Sequence, residues 1–317
     1  METILVTGGA GFIGSHLCDY LLRDGQNTVV VIDNFSLGTK ENIQHLSANP
    51  KFILYNQDIL NVGQTELVFQ NHHFDFVYHL AANSDIAKSF TNPSTDYDNT
   101  FGTTYTVLEC MRKYNVKKLF FASTSAIYGE AENAIAEDFG PLFPVSHYGA
   151  GKLASEAFIS SYSASYQIQT WITRFPNVVG NRTTHGIIYD FLKKIEADKE
   201  NLLVLGDGEQ EKPYLHVLDL IGAIMYVIAN TNERLNYYNV AGKDRMMVKN
   251  IATALLEEAG QTRNILFTGG KIGWVGDVPK FAYDTNKIEQ LGWKPSLNSE
   301  QAIRRTVSDI IKEKAEK

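Results

Sequence analysis

The chain has 317 residues, of which 44% are hydrophobic and 21% charged, and its formal net charge at pH 7 is −7. This composition is that of an ordinary globular protein with enough apolar residues for a large core, so we expect one large domain with a smaller one beside it. The negative net charge removes the general attraction to polyanions on which binding of nucleic acid or of an anionic membrane surface depends, so neither partner is expected.

Targeting and metal-binding patterns do not stand out either. The chain enters an apolar strand-like segment at once, and it contains no run of about 18 apolar residues of the kind a membrane span requires. We therefore predict a cytoplasmic protein. Cys18 and Cys110 have neither CxxC spacing nor a neighbouring histidine cluster, so reduced thiols are expected and no metal site is predicted.

Short β-branched and aromatic segments alternate with amphipathic stretches through the first half of the chain. In chain order the predicted strands are TILVT, TVVVID, KFILY, FDFVYHL, KLFFAS and TWITRF. Alternation of strands with helix-length segments predicts an α/β fold, in which a doubly wound parallel sheet of the Rossmann type is covered by helices on both faces.

The pattern changes after Phe175. Segments rich in Gly, Asn and Asp, such as LGDGEQEKP, separate helical pieces such as IIYDFLKKIEA and VKNIATALLEEAG. This change predicts a boundary, with a first domain over residues 1–175 and a smaller α/β domain over residues 176–317. We expect some of the later chain to return to the sheet of the first domain.

The segment ILVTGGAGFIGSHL predicts a dinucleotide site. Gly8, Gly11 and Gly14 follow a predicted strand and open a predicted helix, where they allow a tight turn, close approach of a pyrophosphate and close helix packing. The next strand ends in Asp33, whose carboxylate can accept hydrogen bonds from the adenosine ribose and repels a 2′-phosphate. NAD is therefore preferred to NADP, although Asp33 could instead be a local cap.

Two later strand ends are weaker candidates for the same site. Asp58 closes its segment where an acceptor for the adenine amino group could lie, and a cap is almost as good an explanation. The segment HLAA, residues 79–82, ends the fourth predicted strand and could pass under the cofactor. Close packing explains its small residues almost as well.

Tyr148 and Lys152 stand at i and i+4 in HYGAGKLASE and therefore project from one face of a helix. A free phenol has a pKa of about 10, and a nearby ammonium group lowers it by about 1 to 3. Tyr148 could then transfer a proton at a substrate oxygen. Thr124, in STSAIYG at the end of a predicted strand, is the natural third member because its hydroxyl can bond the same oxygen.

The motifs TGGAGFIG, HLAA, STSAIYG, YGAGK, RFPNVVG, GDGEQEKPYLHVLDL and LGW together resemble the extended short-chain dehydrogenase/reductase family, in particular its NAD-dependent nucleotide-sugar epimerases and dehydratases. The resemblance spans nearly the whole chain. It implies a nucleotide-sugar substrate bound by the C-terminal domain and NAD held through the catalytic cycle. It also implies homodimers formed through helices near residues 93–115 and 146–166.

The resemblance assigns roles to individual residues. It implies Thr124, Tyr148 and Lys152 as the catalytic residues. The cofactor residues that it implies are Gly8, Gly11, Phe12, Ile13, Gly14, Asp33, Asn34, Asp58, Ile59, Leu80, Ala81, Ala82, Asn99, Tyr148 and Lys152. Those that it implies for the substrate include Ser84, Thr124 and Asn177. Asn99 could instead tie a loop to the following helix, and Asn177 could be a turn residue.

The residues after Thr124 separate the branches of this family. A 4,6-dehydratase needs a further acid and base, and in that branch an Asp-Glu pair follows the catalytic Thr. Here the two positions are Ser125 and Ala126, and UDP-glucuronate decarboxylases typically carry Glu in place of Ala126. Both branches are therefore disfavoured, whereas a 4-epimerase and a 4-dehydrogenase need only the three catalytic residues.

The substrate domain departs from the family pattern at two positions. Lys212 and Trp274 stand where the family usually has arginines that clamp the diphosphate, and neither side chain reproduces that bidentate geometry. Arg182 is a candidate replacement, although a surface arginine explains it at least as well. Trp274 could stack on a base or sugar, or could only pack within the domain. These departures leave the nucleotide open between UDP, the favoured choice, and GDP.

The sequence therefore predicts an NAD-dependent nucleotide-sugar 4-epimerase that acts through a 4-keto intermediate, on a UDP-hexose or UDP-hexuronate, in surface polysaccharide synthesis. The first alternative is a 4-dehydrogenase that releases the 4-keto sugar, possibly GDP-linked. The second is a non-catalytic protein that senses NAD. The complete set of Thr124, Tyr148 and Lys152 argues against a sensor, because a sensor needs no base.

Overall fold

A computed structural model of the chain describes residues 1–85, 90–131, 133–270 and 280–315. Trp274 lies outside these residues. The described strands are β1 (Thr3–Thr7), β2 (Thr28–Asp33), β3 (Phe52–Asn56), β4 (Phe76–His79), β5 (Lys118–Thr124), β6 (Gln169–Phe175), β7 (Asn177–Val179), β8 (Asn201–Val204), β9 (Glu211–Lys212), β10 (Tyr214–His216), β11 (Leu235–Asn239), β12 (Met246–Met247) and β13 (Asn264–Phe267).

The described α-helices are α1 (Phe12–Leu22), α2 (Val62–Asn71), α3 (Thr103–Lys113), α4 (His147–Tyr166), α5 (Ile187–Ala197), α6 (Val217–Asn230), α7 (Val248–Glu258), α8 (Asn286–Leu291) and α9 (Ser299–Ala315). A helical turn over Ser94–Asp96 and a π-helical segment over Tyr97–Gly102 lead directly into α3. A 3-10 turn over Ser125–Ile127 follows β5. No helix within the described ranges is long and apolar enough to cross a membrane.

Seven strands form a parallel sheet in the order β11-β6-β5-β4-β1-β2-β3, with helices packed on it. The predicted doubly wound α/β fold is therefore confirmed. The chain first builds outward from β1 through β2 to β3 and then continues on the other side of β1 with β4. At this switch point the carboxyl ends of β1 and β4 are neighbours, with Thr7 opposite His79. Loops that leave a sheet in opposite directions open a crevice there for a ligand.

The chain divides into two compact units that are not continuous in sequence. The first comprises Met1–Ile127, Phe143–Arg174 and Met225–Tyr238, and the second comprises Tyr128–Leu142, Phe175–Ile224 and Asn239–Lys317. The sequence predicts a single boundary at residue 175, and one junction between the two units falls there, between Arg174 and Phe175. One segment before residue 175, Tyr128–Leu142, belongs to the second unit, and β11 returns to the sheet of the first unit. Both features depend on pairing between distant parts of the chain.

Each unit has its own apolar core. In the first unit, residues such as Leu5, Val30 and Phe121 pack between the sheet and its helices. In the second unit the core lies among α5, α7 and α9, with residues such as Ile251 and Ile303 fully buried. Three short strand pairs complete the second unit: β7 with β10, β8 with β13, and β9 with β12.

Candidate active site

The glycine-rich turn between β1 and α1 has no room for side chains. Gly8 has a left-handed φ of +73°, and a Cβ atom there would lie 2.8 Å from the backbone nitrogen of Ala81. A Cβ atom on Gly14 would lie 2.1 Å from the carbonyl oxygen of Gly8. Gly11 is the N-cap of α1 and offers no side chain to its first amides. This cradle of backbone N–H groups fits a pyrophosphate.

Asp33 ends β2 and is buried beside this turn. Its Oδ2 accepts a 2.8 Å hydrogen bond from the backbone nitrogen of Ala10, and its Oδ1 accepts one of 2.8 Å from that of Phe35. Burial raises the pKa of Asp33 above its usual value, and these backbone hydrogen bonds oppose the rise. The carboxylate thus caps its own loop and also ties β2 to the glycine-rich turn. Each oxygen keeps a lone pair that could accept from a ribose hydroxyl.

Asp58 is tied into the neighbouring loop after β3. Its Oδ2 accepts a 3.1 Å hydrogen bond from Asn34 Nδ2, and its Oδ1 accepts one of 2.9 Å from the backbone nitrogen of Leu60. Asp58 thus holds a local turn, whereas the N-cap of α2 is Asn61, which accepts from the backbone nitrogen of Gln64. Ile59, the next residue, is buried in the core of the first unit.

The other predicted cofactor residues lie around the same end of the sheet. Those that are half-buried are Phe12, Ile13, Leu80, Ala81, Ala82 and Asn99. The backbone nitrogen of Ala81 donates a 3.3 Å hydrogen bond to Thr7 Oγ1, which fixes the chain as it leaves β4. Ser84 is exposed, and Asn99 lies in the π-helical segment, where its carbonyl oxygen accepts from Thr103 Oγ1 at 3.0 Å.

Thr124 and Tyr148 are joined by a side-chain hydrogen bond. Thr124 is the last residue of β5, and Tyr148 lies in the first turn of α4. Burial raises the pKa of Tyr148 to about 12, the negative charge of Asp96 adds to the rise, and the hydrogen bond with Thr124 opposes it. The phenol is therefore protonated at neutral pH in this environment. It needs additional positive charge before it can act as a base.

Lys152 lies one helical turn further along α4 and is 2% exposed. Its Nζ donates a 2.6 Å hydrogen bond to the carbonyl oxygen of Ala122 and lies 4.5 Å from the ring centroid of Phe121. Burial lowers the pKa of Lys152 to about 7, although the charges of Glu156 and Asp96 favour the ammonium form. The lysine is therefore poised between its two forms near neutral pH.

Local features of YGAGK explain how α4 approaches β5. Ser146 caps the helix by accepting a 3.1 Å hydrogen bond from the backbone nitrogen of Gly149. A Cβ atom on Gly149 would lie 2.3 Å from the carbonyl oxygen of Ala126, and one on Gly151 would lie 3.1 Å from Thr100 Cγ2. The two glycines thus let the helix backbone come close enough for Tyr148 to reach Thr124.

His79, at the end of β4, is fully buried beneath these groups. Its Nδ1 lies 2.7 Å from Thr7 Oγ1 and its Nε2 lies 3.0 Å from Thr104 Oγ1. Burial and the charge of Lys152 lower the pKa of His79 to about 3, so the ring is neutral. Since Thr104 Oγ1 donates its proton to the carbonyl oxygen of Thr100, His79 Nε2 carries the hydrogen and Nδ1 accepts from Thr7. His79 therefore links β1 to α3.

Two buried carboxylates in the same region were not among the predicted site residues. Glu156 pairs with Arg174, with 2.6 Å between Oε2 and Nη2. Asp96 accepts hydrogen bonds at its Oδ1 from Asn83 Nδ2 at 3.2 Å and from Thr100 Oγ1 at 2.8 Å. The signal for Glu156 was present, because it stands at i+4 from Lys152 on the same helical face. Nothing in the local sequence marks Asp96.

The predicted substrate residues other than Ser84 and Thr124 belong to the second unit or lie outside the described residues. Asn177 is exposed at the start of β7, where it pairs with Tyr214 of β10. Arg182 is half-buried with a left-handed φ of +65°. Lys212 is buried in β9 opposite Met246. Thr124, Tyr148 and Lys152 are thus brought together within the first unit, whereas Trp274 is the substrate candidate outside the described ranges.

The described part of the chain contains no candidate metal site. There, no group of three or more His, Cys, Asp or Glu side chains is arranged to hold a metal ion. The described groups that can exchange a proton here are the Tyr148 phenol and the Lys152 amine, with the hydroxyl of Thr124 beside the phenol.

The parallel sheet, its glycine-rich first turn and the bonded Thr124 and Tyr148 define the class, which is a Rossmann-type short-chain dehydrogenase/reductase. A family model described as GDP-mannose 4,6 dehydratase matches residues 5–306. The chain is 33% identical over 311 residues to a putative UDP-glucose 4-epimerase of Methanocaldococcus jannaschii, covering 96% of this chain and 97% of that protein. It is 29% identical to a dTDP-glucose 4,6-dehydratase of Haemophilus influenzae, covering 97% of each chain.

A solved structure extends these comparisons. A UDP-glucuronic acid 4-epimerase of Bacillus cereus, in complex with UDP-glucuronic acid and NAD, is 29% identical with a TM-score of 0.87, covering 98% of this chain and 99% of the other. The chain therefore belongs to the nucleotide-sugar epimerase and dehydratase family of extended short-chain dehydrogenase/reductases, and it is an enzyme of that family. The family predicted from the sequence motifs is confirmed.

Proposed function

We propose that this enzyme is an NAD-dependent nucleotide-sugar 4-epimerase that acts on a UDP-hexose or UDP-hexuronate through a 4-keto intermediate. The observation that carries the proposal is the turn after Thr124, where Ser125 and Ala126 offer a hydroxyl and a methyl group. Elimination at carbon 6 needs a second acid and base at the sugar, and these side chains supply neither. Oxidation and reduction at carbon 4 need only the three candidate catalytic residues.

The first unit would bind the cofactor. The backbone around Gly8, Gly11 and Gly14 would hold the pyrophosphate, and Asp33 would accept from the ribose hydroxyls and exclude a 2′-phosphate. Asp58, Leu80, Ala81, Ala82 and Asn99 line the same end of the sheet. The chemistry that bound NAD would supply is reversible hydride transfer at carbon 4 of the sugar, together with positive charge in its oxidised form.

Tyr148 would take the proton of the sugar 4-hydroxyl group and return it in the second half of the reaction. Because burial holds the pKa of Tyr148 at about 12, the ionised form has to be stabilised by nearby positive charge. Lys152 in its ammonium form supplies part of that charge from one turn along α4. Thr124, already hydrogen-bonded to Tyr148, would hold the reacting oxygen in line with the phenol.

The second unit would bind the nucleotide sugar. Asn177, Arg182, Lys212 and Trp274 remain the candidate residues, and Ser84 of the first unit is a further one. UDP is supported over GDP by the relatives whose names carry UDP-glucose and UDP-glucuronic acid. The substitution of Lys212 and Trp274 for the usual arginines keeps GDP as the competitor. A role in surface polysaccharide synthesis and a cytoplasmic location stay predictions.

A homodimer is proposed because aromatic side chains cluster on an exposed face of the first unit. Tyr97, Tyr105 and Phe158 are 68%, 43% and 40% exposed, and Phe158 lies 5.0 Å from Phe101 between ring centroids. An exposed aromatic cluster of this kind is typical of a protein interface. It falls within the two segments near residues 93–115 and 146–166 through which the resemblance implies dimerisation.

One assay separates the proposed function from its alternatives. The purified protein is incubated with a panel of UDP- and GDP-sugars while the absorbance of reduced cofactor is followed and the products are identified by NMR. Inversion at carbon 4 without net reduced cofactor supports the 4-epimerase. Stoichiometric reduction with a stable 4-keto sugar identifies a 4-dehydrogenase, loss of the 6-hydroxyl group identifies a dehydratase, and cofactor binding without turnover identifies a sensor.

A further inference from the structure

Three consecutive residues at the end of β5 are connected to three successive turns of α4. The connected pairs are Thr124 with Tyr148, Ala122 with Lys152, and Ser123 with Glu156. The α4 partners are spaced at i, i+4 and i+8, so they lie on one helical face. The first two pairs contain the candidate catalytic residues. The third pair contains no candidate catalytic residue, yet its contact is as close as that of Lys152, with 2.5 Å between Ser123 Oγ and Glu156 Oε1 against 2.6 Å between Lys152 Nζ and the Ala122 carbonyl oxygen.

Glu156 is fixed from two strands at once. Besides the bond from Ser123 of β5, its carboxylate accepts from Arg174 of β6, with Nη2 at 2.6 Å from Oε2 and Nε at 3.1 Å from Oε1. The side chains of Glu156 and Arg174 are only 8% and 9% exposed. The guanidinium carbon lies 5.6 Å from the ring centroid of Tyr237 on β11. A buried carboxylate that accepts from this many donors is held in one position.

The charged and titratable groups that face Lys152 come from each element packed against it. They are His79 of β4, Asp96 before α3, and Tyr148 and Glu156 of α4. His79 is neutral, and Tyr148 is protonated until the reaction needs its anion. The negative charges are therefore those of Asp96 and Glu156. Glu156 is the one that lies on the helix of Lys152 itself, one turn along.

We propose that Glu156, held by Ser123 and Arg174, is a positioning residue for Lys152 and Tyr148: it fixes α4 along β5 and supplies negative charge that favours the ammonium form of Lys152. This inference rests on the proposed role of Tyr148 in proton transfer. A neutral Lys152 would give no electrostatic support to the phenolate, so loss of the Glu156 charge would weaken the base two turns away.

The test is the titration of Lys152 in the full-length protein. The side-chain carbon of lysine next to the amino group is labelled with carbon-13, and its NMR signal is assigned by its loss in Lys152→Met. In the wild type this signal titrates near pH 7, apart from the other lysines, because burial lowers its pKa to about 7. Glu156→Gln keeps the side-chain shape and removes the charge. In this variant we expect the titration midpoint of Lys152 to fall by about one pH unit.

Glu257→Gln is the matched control. Glu257 also pairs with an arginine, at 2.8 Å from Arg304, but it is exposed and lies on α7 of the second unit. In Glu257→Gln the titration midpoint of Lys152 should equal that of the wild type. If Glu156→Gln also leaves the midpoint unchanged, the proposal is wrong, because a purely structural role of Glu156 would alter folding and not the titration of Lys152.

Glu156→Gln removes the carboxylate that neutralises buried Arg174, so this variant could fail to fold. The double variant Glu156→Gln with Arg174→Met removes both charges and avoids that problem. Its Lys152 midpoint should stay below that of the wild type, and a return to the wild-type value would overturn the proposal. The titration needs no sugar, so a failure of the proposed 4-epimerase activity and a failure of this inference are observed separately.

Discussion

Gly149 in α4 lies so close to Ala126 that a Cβ atom on Gly149 would be 2.3 Å from the Ala126 carbonyl oxygen. Backbone therefore meets backbone at the point where the helix delivers Tyr148 to Thr124. Two glycines, Gly149 and Gly151, lie between Tyr148 and Lys152 in YGAGK. Here the first of them sets the distance between the helix and the turn after β5.

Gly149→Ala should therefore destabilise the protein by about 1–3 kcal/mol, since the helix has to move away from the Ala126 carbonyl. Displacement of Tyr148 by about 1 Å should also lower kcat about 100-fold. Gly222→Ala is the matched control, because Gly222 lies in α6 with nothing within 4 Å of an added Cβ. That variant should gain about 0.5–1 kcal/mol. Chemical denaturation measures the stability of both variants. Equal effects of the two substitutions on stability would contradict the close contact between Gly149 and Ala126.

The sequence predicts the parts of the site that depend on local pattern. Strand periodicity predicts the sheet, the glycine spacing predicts the turn before α1, and the i, i+4 spacing of Tyr148 and Lys152 predicts their common helical face. Each of these patterns is contained within a few residues. The physical causes, namely backbone sterics and helix geometry, act over the same short distance.

Other parts of the site depend on contacts between distant segments, which no local pattern reports. Arg174 reaches Glu156 only because β6 lies beside β5, and Asp96 approaches the site only because the π-helical segment packs against α4 at Gly151. Ser123 illustrates the difference. The sequence around Ser123 does not indicate a buried partner, whereas in the structure its hydroxyl donates to Glu156 at 2.5 Å.

Tyr148→Phe tests the proton-transfer role. The phenyl ring keeps the shape of the side chain but cannot exchange a proton with the sugar, so kcat should fall about 10²- to 10⁴-fold while NAD remains bound. Tyr166→Phe, at the other end of α4, should leave kcat unchanged. Turnover of the preferred sugar and fluorescence titration with NAD measure the two quantities. Near-normal turnover by Tyr148→Phe would remove Tyr148 from the mechanism.

Lys152→Met tests the cost of burying the lysine. The folded protein holds the pKa of Lys152 at about 7, below the value of about 10.4 in an unfolded chain. Between these values the unfolded state binds more protons, so the wild type gains stability as pH rises, by up to about 1.4 kcal/mol per pH unit. The variant lacks this gain. The difference in the free energy of unfolding, Lys152→Met minus wild type, should therefore be most favourable to the variant below pH 7 and should decline above pH 7. If the unfolding free energies of the two proteins instead change in parallel with pH, the low pKa of Lys152 is wrong.

Phe158→Asp tests the proposed homodimer. Phe158 contacts Phe101 and Tyr105 on the exposed aromatic face, with ring centroids at 5.0 and 6.0 Å. A carboxylate there would have to lose its water on association, which disfavours the interface strongly. Sedimentation should give the mass of a dimer for the wild type and of a monomer for Phe158→Asp. Val62→Asp, at a 52% exposed position on α2, should remain a dimer because it lies outside the two dimerisation segments. A monomeric wild type, or a dimeric Phe158→Asp variant, would show that this face serves another purpose.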